Sequence, residues 1–113
     1  MALTVHVGFT IPDDEDIALR TSSHFVNLGY RLTDHGSDVW VFQRGSKLAT
    51  LWRSDIRAYE TELTVRSVDQ SDGGHWVSCD WDVYTFMNIT TGGDVARLES
   101  EGRQLESVLR GSL

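Results

Sequence analysis

The segment His75-Trp-Val-Ser-Cys79-Asp80-Trp-Asp82 gathers residue types that bind metals and move protons. In an extended strand alternate side chains point to opposite faces, so His75 and Cys79 fall on one side and Asp80 and Asp82 on the other. With that separation, and with no second His or Cys pair at ligand spacing, the sequence predicts no metal site. Cys79 reads as a small core residue. Asp80 and Asp82 project from the same side about 7 Å apart, a spacing at which two carboxylates could share acid–base work. Acids on an open strand face are far more often solvated or paired, here with Arg31 or Arg66. Ser78 stands in no nucleophile motif, and His6, His24, His35 and His75 read as surface or hydrogen-bonded histidines. Gly92-Gly93 precedes a helical pattern and could present backbone N–H groups to an anion, but Asp94 already puts a carboxylate at that positive end. There is no Walker or dinucleotide fingerprint, and the acids of 13–16 do not follow calcium-loop spacing. The residues imply no enzyme activity and no cofactor.

The bulk properties narrow the partners. A chain of 113 residues suits a single domain over 1–113. Seventeen acidic against ten basic residues give a formal charge of -7, which repels phosphate backbones and anionic membranes. The basic residues are scattered singly, so nucleic acid is not an expected partner. One cysteine excludes an internal disulfide and points to a reducing compartment. No stretch approaches the roughly 20 apolar residues that span a bilayer, and the start lacks a secretion signal pattern. The expected location is the cytoplasm.

Leu3, Val5, Val7 and Phe9 alternate with Thr4, His6, Gly8 and Thr10, the period-two mark of a strand with one apolar face. Pro12 and the acids at 13–16 announce a helix over roughly 13–28, with Ile17, Ala18, Thr21, Phe25 and Leu28 on its apolar face and Gly29 as its left-handed stop. A strand from Tyr30 to about Asp34 and the run Val39–Phe42 form a hairpin around His35-Gly36-Ser37. Arg44-Gly45-Ser46-Lys47 reads as a second turn before a strand at Leu48–Trp52. Further strands follow at Glu60–Val68 and from His75, the latter with a bend or bulge near Asp82–Thr85. The spacing of Val95, Leu98, Gly102, Leu105 and Leu109 predicts a final helix over roughly 93–110. Gly102 lies within its apolar stripe, where close approach to the sheet would compensate a loss of about 1 kcal/mol relative to alanine.

The fold class is therefore α+β, an antiparallel sheet of about six strands in the order β-α-β-β-β-β-β-α, with two helices on one face. That order resembles a reduced helix-grip fold of the START or plant-allergen kind, in which a curved antiparallel sheet holds a long C-terminal helix. The resemblance is topological, and no functional residue is transferred with it.

Two helices cover one side of a sheet, and the other side must meet water or a partner. If Leu3, Val5, Val7, Phe9, Val39, Val41, Leu63, Val65, Val77, Cys79, Trp81 and Val83 face the helices, the opposite side receives Trp40, Phe42, Trp76 and Tyr84. Trp52 can join them, with Arg31 and Arg66 nearby. Aromatics mixed with arginine characterise interfaces, so the expectation is a non-enzymatic module that forms a homodimer or binds another protein through this face. The competing reading has a curled sheet or a different register, with the rings in the core. The alternative function is a small apolar-ligand carrier or sensor, with a cavity between the C-terminal helix and the sheet. A third reading is an acidic mimic that blocks a basic partner.

Overall fold

The computed structural model describes residues 2–12, 16–45, 60–71, 73–84 and 92–110. Its elements are β1 (Ala2–Ile11), α1 (Ile17–Asn27), β2 (Arg31–His35), β3 (Val39–Arg44), β4 (Thr61–Asp69), β5 (His75–Tyr84) and α2 (Gly92–Arg110). The strands form one antiparallel sheet in the order β1-β5-β4-β3-β2. The architecture is α+β as the patterning predicts, with five strands among the described residues instead of about six. The strand expected at Leu48–Trp52 lies outside the described residues.

Consecutive strands from β2 to β5 pair as a meander, and β1 closes the far edge against β5 from Ala2↔Tyr84 to Ile11↔His75. No bend interrupts β5 up to Tyr84, contrary to the expected irregularity from Asp82 on; residues 85–91 lie outside the description. The register shift falls instead in β2, between Leu32 and Asp34. This edge strand is exposed along its whole length, so no packed face opposes an inserted residue.

Helix α1 starts at Ile17, later than the acidic run suggests, and Asp16 at its N-cap makes no side-chain cap hydrogen bond. The helix ends as expected. Gly29 adopts φ +96°, a left-handed conformation that favours glycine, and its N–H donates to the Val26 carbonyl. The chain then turns directly into Tyr30, whose N–H donates to the Phe25 carbonyl.

Both helices cover the face bearing Val5, Val7, Phe9 and Ile11 of β1, Leu63 and Val65 of β4, and Val77, Cys79, Trp81 and Val83 of β5, all buried. From α1 come Thr21 and Phe25, and from α2 Leu98, Leu105 and Leu109. Helix α2 lies close against β1 and β5 at Gly102. A Cβ built there would stand 2.9 Å from Trp81 Cη2 and 3.0 Å from Val7 Cβ, so glycine at this position sets the distance between helix and sheet.

The face assignment of β3 needs correction. Trp40 and Phe42, expected on the open side, are 5% and 0% exposed and belong to the core. They stand opposite Val65 and Leu63 of β4, while Val39 and Val41 take the open side, half-buried. Directly opposed residues of antiparallel strands share a face, so the firm inward placement of Leu63 and Val65 dictates that of Phe42 and Trp40.

Candidate functional site

The corrected parity of β3 carries Arg44 inward as well, with Trp40 and Phe42. It is 5% exposed, and a guanidinium so enclosed needs a counter-charge and hydrogen bonds. Helix α2 supplies the charge through Glu101, also 5% exposed, one residue before the glycine that lets the helix approach the sheet. Arg44 Nη1 donates to Glu101 Oε2 at 3.0 Å and to the Leu28 carbonyl at 3.1 Å. Glu101 Oε1 accepts from the Tyr30 hydroxyl at 2.7 Å, and that hydroxyl accepts from Trp81 Nε1–H at 3.0 Å. The Arg44 guanidinium carbon lies 4.1 Å from the centre of the Tyr30 ring, within cation–π range. Four elements or their junctions thus meet through one polar chain: the end of α1, β3, β5 and α2.

Aromatic packing fixes the floor beneath this chain. Phe25 meets Tyr30 edge-on at 5.5 Å between ring centres, Trp81 at 6.5 Å and Phe42 at 5.3 Å, separations at which offset and edge-to-face pairs are favourable. His24 Nε2–H donates to the Glu101 backbone carbonyl at 3.0 Å. A carbonyl only accepts, so this contact assigns the proton to Nε2. Burial pushes the Tyr30 phenol far above its ordinary range, a rise to which neighbouring Glu101 contributes and which Arg44 partly offsets. The phenol therefore keeps its proton and serves as a fixed donor.

One edge of Arg44 remains unused. A guanidinium has five N–H donors, and Nη1 accounts for the contacts to Leu28 and Glu101. Nε and Nη2 are buried and have no hydrogen-bond partner among the described residues. Each buried donor left this way costs on the order of 1–3 kcal/mol. Nε–H and Nη2–H lie side by side and parallel, the arrangement that grips a two-oxygen group bidentately. Arg44 and Glu101 also line a recess of about 530 Å³, completed by Asn27, Leu28 and the residues Gly93, Ala96, Arg97, Ser100 and Gln104 of α2.

The solved structure of Ara h 8.0201 aligns over 98% of this chain and 97% of its own, with TM-score 0.61 and 9% sequence identity. The fold is a helix grip. No protein-family model matches the chain, and no curated protein matches it by sequence. At 9% identity the likeness concerns architecture alone. In this helix grip the C-terminal helix α2 contributes Glu101 and most of the recess wall.

Of the residues expected to form an interaction surface, Trp40 and Phe42 do not join Trp76 on the open side. Trp40 and Phe42 are in the core, and Trp52 lies outside the described residues. Tyr84 ends β5 opposite Ala2, and its side chain is outside the description. Trp76 is on the open side and 38% exposed, beside Val68 at 53%, the two being directly paired. Arg31 and Arg66 are exposed; Arg66 stands opposite Val39 and Ser78, and Arg31 opposite Gln43. Val39 and Val41 also lie on this side, half-buried, and the rest of it is polar, with Thr4, His6, Thr10, Glu62, Thr64, Ser78, Asp80 and Asp82. Asp80 pairs with His6, Nδ1 to Oδ1 2.6 Å, and not with either arginine as expected.

Among the described residues no group of three or more His, Cys, Asp or Glu side chains is placed to hold a metal ion. No described helix is long and apolar enough to cross a membrane. The Cys79 thiol is buried and pushed up to about 12, first by burial and then by the neighbouring Asp80 carboxylate, which keeps it unreactive.

Sequence reasoning missed Arg44, Glu101 and Tyr30. The sequence pattern puts Arg44 in a turn and Tyr30 at the first position of a strand. Glu101 had a visible signal: it lies three residues after Leu98 and four before Leu105, inside the apolar stripe of the helix. A carboxylate at such a position requires a buried partner.

Proposed function

We propose that this protein is a non-enzymatic binding module that holds a small polar molecule in the recess bounded by the end of α1, β3 and α2, with Arg44 as its anchor. The observation that carries this reading is the recess of about 530 Å³ that Arg44 and Glu101 line together with α2. The lining favours a polar occupant over the apolar one expected from topology, because Asn27, Arg44, Arg97, Ser100, Glu101 and Gln104 contribute most of its side chains.

The partner-binding reading of the open sheet face takes Trp40 and Trp76 as its anchors, with Phe42, Trp52 and Tyr84 beside them. Trp40 and Phe42 are enclosed, so Trp76, paired with the exposed Val68, is the anchor that remains on that face.

A fragment titration followed by nuclear magnetic resonance tests the reading, with the Trp81 indole N–H as reporter because Trp81 donates into the Tyr30–Glu101–Arg44 chain. Polar fragments are expected to shift that signal saturably. Ala96→Trp, which fills the recess from an exposed helix position, is expected to abolish the response, and Trp76→Asp on the sheet face to leave it unchanged. A response unaffected by Ala96→Trp but lost with Trp76→Asp would move the site to the sheet.

A further inference from the structure

We propose that β1 is a self-association edge: two copies of this chain join by antiparallel pairing of their β1 strands about a two-fold axis at Val7, which merges their sheets into one. This surface is separate from the recess and independent of it.

The two edges of the sheet differ in how they are protected. Exposed edges are ordinarily short, charged or bulged, because their free N–H and C=O groups are a template for another strand. Strand β2 has all three devices: five residues, a register shift between Leu32 and Asp34, and the charged Arg31 and Asp34. Strand β1 has none of them. It runs ten residues in unbroken register with β5, and His6 is its one titratable side chain. Every second residue of such an edge strand turns its backbone groups away from the sheet. Among the described residues the one hydrogen bond to the β1 backbone from outside the sheet is that of Arg110 Nη2 to the Thr10 carbonyl, 2.6 Å, and a carbonyl keeps a second lone pair.

The order of side chains along β1 points to a second copy as the occupant. Opposed residues of antiparallel strands share a face. An axis at Val7 sets Val7 against its own copy, Val5 against Phe9, Leu3 against Ile11, Thr4 against Thr10 and His6 against Gly8. Apolar meets apolar on the helix side throughout, and the remaining pairs fall together on the open side. An axis at His6 would bring two imidazoles face to face, whereas at Val7 each meets a glycine. Gly8 is also where Trp76 reaches over β1: a Cβ there would stand 2.5 Å from Trp76 Cζ2 and 2.7 Å from Cη2. The second copy's His6 thus comes beside the indole, which is 38% exposed in a single copy.

Charge does not oppose the union at close range. The two α2 helices lie on one side of the joined sheet. In each, one flank of α2 meets α1 through Arg20 and His24, which bond to the Val108 and Glu101 carbonyls. The other flank, with Arg103, Glu106 and Arg110, lies toward the β1 edge, where Arg110 reaches Thr10. Glu106 pairs there with Arg103 at 2.9 Å and with Arg110 at 3.1 Å, so the formal charge of -7 is not concentrated where the copies meet.

The test uses the full chain. Sedimentation equilibrium is expected to give twice the monomer mass as concentration rises, and a monomer mass throughout, up to millimolar chain, overturns the proposal. Register is read with Thr4→Cys and Thr10→Cys, both at exposed positions; the native Cys79 is buried. Opposed residues are within disulfide reach, whereas each cysteine is about 20 Å along the strand from its own copy, so oxidation of the two variants mixed is expected to give about ten-fold or more cross-linked dimer than either alone. A dimer in which the mixture cross-links no better than the single variants forms through another surface and overturns the proposal. Should either variant fail to fold, isotope-filtered magnetic resonance on mixed labelled and unlabelled wild type replaces it: contacts between the Val7 methyls of two chains are expected, and their absence in a dimer overturns the proposal as well.

Discussion

Glu101→Gln probes the buried pair on which the site is built. The amide has a single oxygen, so it either accepts from Tyr30 and turns its N–H₂ group toward Arg44 Nη1 or the reverse, and both ways it leaves the guanidinium without its counter-charge. Both partners are only 6% exposed at the side chain, so water does not replace what is lost, and breaking such a pair costs about 3–5 kcal/mol. Unfolding entropy of about 2.1 cal/mol/K per residue gives a chain of 113 residues roughly 0.24 kcal/mol/K, so each kcal/mol moves Tm by about 4 °C. The expected fall is therefore about 12–20 °C. Arg44→Met strands Glu101 in the same way and is expected to cost a similar amount. The combined variant R44M/E101Q buries no charge and is expected to lose no more than either single change, a coupling of at least about 3 kcal/mol. Urea unfolding of the four proteins measures the cycle. Additive losses, or a cost below about 1 kcal/mol for Glu101→Gln as at a solvated pair, would refute the claim that this pair is enclosed and mutually dependent.

Gly102→Ala is expected to destabilise although alanine gains about 1 kcal/mol in helix propensity. The new Cβ meets Trp81 and the Cβ of Val7 at 2.9 and 3.0 Å, and overpacking of about 1–3 kcal/mol outweighs the gain; chemical denaturation checks the sign. Thr21→Val is expected to stabilise by about 1 kcal/mol, because Thr21 Oγ1 is buried without a partner among the described residues and valine removes that cost. Thermal unfolding decides it, and a loss would show that the hydroxyl is in fact bonded. Cys79, raised in the folded chain to about 12 from an ordinary 9.0, contributes stability that is fully present below pH 9 and is lost as pH rises toward 12. The loss attributable to it is about 1.4 kcal/mol per pH unit. Comparison of the wild type with Cys79→Ala between pH 8 and 11 is expected to show their difference shrinking above pH 9; a constant difference contradicts the assignment.

The apolar alternation of β1, β4 and β5 was readable because each carries polar residues on its second face. In β3 the run Val39-Trp40-Val41-Phe42 is apolar on both faces, and alternation alone cannot choose between them. The choice comes from tertiary pairing with Leu63 and Val65, which local sequence does not encode. That one ambiguity hid the site, because reversing the parity of β3 is also what brings Arg44 inward. Glu101 was legible in the helical period, and Gly102 beside it was read as a point of close approach to the sheet, which the structure bears out. Tyr30 could not be placed from sequence, since its role arises where the end of α1 meets β5 and α2.

The most direct measurement is a crystal structure of the chain with its tightest-binding polar fragment. The account predicts density for the fragment in the recess lined by Arg44 and Glu101, against Ala96, Ser100 and Gln104 of α2. Density at Trp76 on the open face of the sheet, and none in the recess, would contradict it.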